Sequence, residues 1–270
     1  MFDPFKDFET LGYLRNVNRD KDPDLVKQME HNLFRANIDE ALKNLEESEE
    51  LTYESFLDTH KILFQKYYPW AGNDRAETMP KSTVKKGDVL FCAPSECRRA
   101  IEAGLYLGQH RKKMGEKLGE VMGLFAYGHP FLDGNGRTML LVHMELCHRA
   151  GFSVDWANTK KSDYLSALTH EIMSPGRGIL DEYLSRFKRS VLERGKWIGG
   201  IFLIHGLDGL DEQNQIDGDL EDPLVAEKYK QYEKSRNYTY STVESDGNCE
   251  KCRAKPCVCS NSSGSKIKPR

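Results

Sequence analysis

From Thr138 to Arg149 apolar side chains occur around most of a helical circumference: Met139, Leu140, Leu141, Val142, Met144 and Leu146. A helix with so little polar face is a central, buried one. Other helices must therefore pack around this segment, and whatever opens it lies near the middle of the molecule. What opens it is His129-Pro130-Phe131-Leu132-Asp133-Gly134-Asn135-Gly136-Arg137. Taken singly, Asp-Gly and Asn-Gly are ordinary turn signals. Together they set a base, an acid, an amide, two glycines and an arginine in one bend before a buried helix. A glycine-rich turn that opens a helix aims backbone N–H groups at an anion, and the helix dipole adds to the attraction. Gly134 and Gly136 allow close approach and positive φ. Arg137 can fork onto phosphate oxygens, and Asp133 is a hard oxygen ligand of the kind Mg²⁺ takes. His129 is the residue of the bend whose ordinary pKa lies near neutrality, so it can take a proton from an attacking hydroxyl.

Helical patterning extends on both sides. Leu25, Met29, Leu33, Ile38, Leu42 and Leu45 predict a helix over 23–49. Thr52 caps a second, with Phe56, Leu57, Ile62, Leu63 and Phe64 on its apolar face, ending near Tyr68 because Pro69 follows. Thr83-Val84 and Val89-Leu90-Phe91, around Lys85-Lys86-Gly87-Asp88, predict a β-hairpin. Ser95 is expected to cap a helix carrying Ile101, Leu105 and Leu107. Further helices are expected over 112–127, 159–172 and 179–195. Beyond Gly206 the periodicity fades into an acidic stretch with Asp208, Asp211, Glu212, Asp217, Asp219, Glu221 and Asp222, with a short helix returning from Pro223 through Tyr229 and Tyr232.

At 270 residues, 39% hydrophobic and 30% charged, with net charge −3, the chain is balanced like a soluble globular protein. That charge argues against a nucleic-acid partner, and the short run Arg111-Lys112-Lys113 reads as a solvated helix face. No apolar run reaches spanning length, so no membrane partner is expected. The N-terminus lacks a charged-then-apolar signal, so the expected location is the cytoplasm, with export by a specialised secretion system left open. Cys92, Cys97 and Cys147 lie in patterned segments and read as buried thiols. Cys249, Cys252, Cys257 and Cys259 cluster in a Ser- and Gly-rich tail, which reads either as a Zn²⁺ site or as a flexible Cys-containing tail.

The bend resembles the signature of the Fic-domain family, His-x-Phe-x-Asp/Glu-Gly-Asn-Gly-Arg-x-x-Arg, with Leu140 where the second Arg is expected. Tyr68-Pro69-Trp70-Ala71-Gly72-Asn73-Asp74-Arg75 and Lys86-Gly87-Asp88-Val89-Leu90-Phe91 resemble the family's segment before and within its flap. The resemblance covers roughly residues 20 to 190, a domain-sized span. It implies an all-α Fic-type helical bundle with a small β-hairpin flap over the active-site loop. Residues 1–200 would be the catalytic domain, 201–245 an acidic linker and extension, and 246–270 the Cys-rich tail.

The implied activity is transfer of AMP from ATP, with Mg²⁺, to a Ser, Thr or Tyr hydroxyl of a target protein. His129 would be the general base and Phe131 a buried anchor. Asp133 would hold Mg²⁺, while Gly134, Asn135, Gly136 and Arg137 would bind phosphates. Val84, Lys85, Lys86, Gly87, Asp88 and Val89 would form the flap that receives an extended target segment by strand addition, or that only shields the nucleotide. Leu offers no donor for a terminal phosphate. Leu140 therefore leaves three readings: another basic group holds that phosphate, the donor differs (UTP, GTP or a phosphocholine compound), or the domain is degenerate and serves as a binding module. No Glu follows a Ser or Thr by four positions, the spacing of the family's inhibitory motif. The expectation is restraint by a small antitoxin-like protein in trans, or no restraint of that type.

Overall fold

The computed structural model describes residues 1–207 and 214–240. Contacts group Met1–Tyr238 as one compact unit and Thr239–Arg270 as a second. Cys249, Cys252, Cys257 and Cys259 lie outside the described residues, as does nearly all of the second unit.

The described chain is predominantly helical. α1 (Phe8–Leu11) precedes the long α2 (Pro23–Glu47) and α3 (Tyr53–Phe64). Asp22 starts α2 by accepting from the amides of Asp24 and Leu25, with Pro23 in the first turn. Thr52 and Ser55 start α3 with reciprocal side-chain bonds. α4 (Arg75–Thr78) leads into the hairpin of β1 (Ser82–Lys86) and β2 (Val89–Leu90). In it Lys85 faces Leu90 and Lys86 faces Val89 across a Gly87-Asp88 turn. The bundle continues with α5 (Cys97–Gln109), α6 (Arg111–Glu116), α7 (Leu118–Gly128) and α8 (Asn135–Ala150). α7 is buried along its whole length and α8 along most of it. These two buried helices form the centre, and the bend 129–134 joins them. Then follow β3 (Phe152–Val154), α9 (Lys161–Met173), α10 (Ile179–Ser185), β4 (Lys188–Ser190), α11 (Trp197–Ile201), β5 (Gln215–Asp219) and α12 (Pro223–Arg236).

Several departures from the sequence-based expectations have tertiary causes. The single helix expected over 112–127 is two, broken at Lys117 (φ −125°, ψ 31°). The first amides of α7, on Gly119 and Glu120, are capped at 2.7 and 3.1 Å by the Asp181 carboxylate of α10. A distant side chain thus does the work of a preceding helical turn. The helix expected over 179–195 stops at Ser185, because Lys188–Ser190 pairs antiparallel with Phe152–Val154. Ser95 lies in a short 3₁₀ turn, Pro94–Glu96, and does not cap α5. The acidic stretch after Gly206 contributes β5, which joins the flap in a three-stranded sheet ordered β2-β1-β5. The helix expected to return at Pro223 is α12. Among the described residues no helix is long and apolar enough to cross a membrane.

Candidate active site

The bend is braced from three directions. His129 ends α7 in the left-handed region (φ 38°, ψ 54°), a conformation that costs a side-chain-bearing residue about 1 kcal/mol and persists only where surroundings enforce it. The enforcing group is Arg75. Its guanidinium donates to the carbonyls of His129 (2.8 Å), Gly128 (3.3 Å) and Cys92 (2.8 Å). Its backbone N–H donates to Pro130 O at 2.7 Å. Arg75 is fully buried, so one cation caps the negative end of α7 and ties the bend to the strand leaving the flap.

Below the bend lies Phe131, with no exposed surface. Its ring stacks on His60 at 3.7 Å between centroids. His60 Nδ1 accepts from the Gly72 amide at 3.0 Å, so Nε2 carries the proton and donates to Asp133 O at 3.0 Å. Burial pushes the His60 pKa down to about 3, so the ring is neutral and of one tautomer. Asn135 supplies the third brace: its side chain accepts from Phe131 N–H at 2.9 Å and donates to Phe131 O at 2.8 Å. At Gly134 (φ 75°) a Cβ would lie 2.6 Å from the Phe64 ring, so only glycine lets the bend close onto α3. A Cβ at Gly136 would meet nothing; its place faces the cleft.

His129 stacks face to face on Phe91 of the flap, 3.7 Å between centroids. It is 9% exposed, and its Nε2 has no hydrogen-bond partner among the described residues. Its pKa is pushed well below the ordinary value, by burial first and then by the charges of Arg75 and Lys86, with Asn214 partly opposing them. The imidazole is therefore neutral at neutral pH and able to accept a proton. His129 lines one cleft together with Asp133, Gly134, Asn135, Gly136, Arg137, Lys27, Lys86 and Asn214. This brings together the residues expected of the bend and one residue of the flap. Val84, in β1 of the flap, has no exposed surface.

Charge in the cleft is balanced from α2. Glu30, fully buried, pairs with Arg137 and accepts from Tyr68 OH at 2.7 Å. Lys27 pairs with Asp133 and lies 3.7 Å from Glu30. Neither α2 residue was singled out from the sequence. Val26 stands four positions before Glu30, so the inhibitory-motif spacing passes it by. The available signal was a Lys and a Glu three apart on the inward face of an otherwise amphipathic helix. Leu140 is buried in α8 at 5% exposure.

A buried helix pair, joined by a braced bend with a neutral imidazole beside the first amides of the second helix, is an arrangement that can hold an anion next to a proton acceptor. Residues 50–147, about a third of the chain, match the family model for the Fic/DOC family. The chain is 26% identical over 168 residues to the protein adenylyltransferase VbhT of Bartonella schoenbuchensis, an alignment covering 61% of this chain and 35% of that one. It therefore spans only about a third of that relative's length. The probable protein adenylyltransferase y4lH of Sinorhizobium fredii is 27% identical over 168 residues, covering 57% of this chain and 81% of its own. In fold, BepC of Bartonella tribocorum, a VirB-translocated effector crystallised with AMPPNP, superposes with a TM-score of 0.51 at 18% identity, covering 65% of this chain and 91% of that one.

Proposed function

We propose that the protein transfers AMP from ATP to a Ser, Thr or Tyr hydroxyl of another protein, with His129 as general base. The observation that carries this reading is the neutral, buried His129 with Nε2 unengaged, in one cleft with the opening turn of α8. The relatives named as adenylyltransferases support the same reaction class. His129 takes the proton from the acceptor hydroxyl. The oxygen attacks the α-phosphorus, the bond to the β-phosphate breaks and pyrophosphate departs. The amides of α8's first turn lack helical acceptors and face the developing charge. Arg137 neutralises charge on the departing group, and Phe131 fixes the bend. The Asn135 side chain is spent on Phe131, so its phosphate contact is through the backbone.

Magnesium is bound in such reactions by one or two carboxylates plus phosphate oxygens. No cluster of three His, Cys, Asp or Glu exists among the described residues, and Asp133 is the cleft carboxylate that fits this scheme. Mg²⁺ would supply charge neutralisation between phosphates; Asp133 would hold it after exchanging Lys27. Lys27 and Lys86 both line the cleft, which supports the reading in which basic groups other than residue 140 hold the terminal phosphate. Glu30 gives the chain its own carboxylate on Arg137, so restraint requires no second protein.

The test is intact-mass measurement after incubation with each nucleoside triphosphate and Mg²⁺, with and without lysate. One added AMP, lost in H129A while ATP binding is retained, is the expected result. A different added group would rename the donor, and equal transfer by H129A would remove His129 as base.

A further inference from the structure

The outer edge of the flap is occupied. β5 lies antiparallel on β1, with Ser82 opposite Asp219, Thr83 opposite Gly218, Val84 opposite Ile216 and Lys85 opposite Gln215, and a bulge between Thr83 and Val84. The pairing is extended by Leu220 N–H to Lys81 O at 2.7 Å and Thr83 Oγ1 to Gly218 O at 3.2 Å. With β2 on its other side, β1 has both edges filled. One step beyond Lys85 and Gln215, the register sets Asn214 opposite Lys86. At that point the chain reaches the bend: the Asn214 amide donates to Leu132 O at 3.0 Å, and Asn214 and Lys86 line the cleft with His129. A side chain carried at this position of a strand added to β1 is thus delivered to the base.

The strand is also chemically matched to β1. Asp217 pairs with Lys85 at 3.3 Å, and Glu221 with Lys81 at 2.7 Å. α12 holds it in place. Lys228 reaches Asp217 at 2.9 Å, Tyr229 OH accepts from Ala93 N–H at 2.7 Å, and Tyr232 OH donates to Leu90 O at 2.9 Å. A Cβ at Gly218 would lie 2.8 Å from Val225, so glycine is what lets β5 sit under α12.

We propose that residues 214–219 hold the place of the acceptor: β5 is a built-in pseudosubstrate. The true acceptor is an extended protein segment that adds antiparallel to β1. It carries its hydroxyl at the position of Asn214, opposite Lys86, and acidic residues downstream at the positions of Asp217 and Glu221. This rests on the transferase reading above. Asn fits the role because its amide nitrogen is not a nucleophile and it offers no hydroxyl, so the strand occupies the site without being consumed. The tether keeps it there at an effective concentration on the order of millimolar, and an acceptor must displace it.

The test has two arms. Without nucleotide, a synthetic peptide of residues 212–221 carrying Ser at the Asn214 position is titrated against wild type, I216P and D217K. The first variant breaks strand pairing and the second sets like charge against Lys85 and Lys228. Binding about tenfold tighter to either variant than to wild type is expected, with faster amide exchange in β1. With ATP and Mg²⁺, N214S should gain one AMP at position 214, at a rate independent of protein concentration. In that step the N214S hydroxyl gives its proton to His129 and forms the bond to the α-phosphorus as pyrophosphate leaves. The double variant H129A/N214S should gain none. Equal peptide binding to all three proteins, or AMP added to N214S elsewhere but never at 214, would overturn the proposal while leaving the transferase reading intact. Peptide binding as expected, with no nucleotide added to any protein, would overturn the transferase reading and keep the strand site.

Discussion

At the scale of single residues, the cleft contains a contest for Arg137. The guanidinium of Arg137, a phosphate ligand in the proposed reaction, is held by Glu30, and the carboxylate of Asp133, its proposed metal ligand, is held by Lys27. Removing one partner of a buried pair destabilises by about 3–5 kcal/mol because the other charge stays buried. E30Q keeps the shape and still accepts from Tyr68 but gives up the charge. The expected outcome is a less stable apoprotein whose ATP affinity rises by about tenfold, since a triphosphate then meets an uncontested cation. Calorimetric titration of the H129A and H129A/E30Q proteins with ATP and Mg²⁺ checks this without turnover. Unchanged affinity would mean that Glu30 serves only to neutralise Arg137 and does not gate the phosphate site. The sequence showed the residues of the bend because each has a distinctive chemistry at a fixed spacing. It did not show Glu30 or Lys27, because their role comes from where α2 packs and not from any local pattern.

At the scale of elements, Arg75 does what no strand or helix does alone. It fastens the end of α7, the bend and the exit from the flap through three carbonyls. R75M removes the donors but keeps much of the stem. Stranding buried carbonyls costs about 1–3 kcal/mol each, so urea unfolding should show a loss of roughly 3 kcal/mol or more, with R75K recovering part of it. A loss well under 1 kcal/mol would show that water replaces the guanidinium. The elements themselves were mostly legible. The starts of α2 and α3 follow from Asp22-Pro23 and Thr52, and the hairpin from Gly87-Asp88 between alternating apolar residues. The failures share one cause. The α6–α7 break needs Asp181 from sixty-odd residues away, β4 needs the edge of β3, and β5 needs the edge of β1. Gln215–Asp219 has little apolar alternation of its own, so its strand character comes from its partner rather than its composition.

Across the whole molecule, the same burial that keeps the His129 imidazole neutral makes the fold sensitive to acid. His60 and His143 are buried neutral rings with pKa values pushed down by burial to about 3 and about 4. His143 donates from Nε2 to Leu118 O at 2.8 Å, where α7 begins. In the unfolded chain both titrate near 6.5, so below that pH the unfolded state binds protons that the folded state refuses. The sign is fixed: stability is at its full value above about pH 6.5 and falls as pH drops toward the folded-state values. At pH 5 each ring costs about 2 kcal/mol, or about 4 kcal/mol for the pair. Glu171 and Asp181, raised by burial, work in the opposite direction, so the histidine share is read from variants. H143Q keeps a donor for Leu118 O and removes the titration. The difference in unfolding free energy between pH 7 and pH 5 should shrink in H143Q by about 2 kcal/mol relative to wild type. An unchanged difference would show that the His143 site admits the proton. Because His129 is pushed down as well, loss of transfer on acidification should track unfolding rather than protonation of the base. Stabilising the fold with nucleotide should then extend the active range downward in pH.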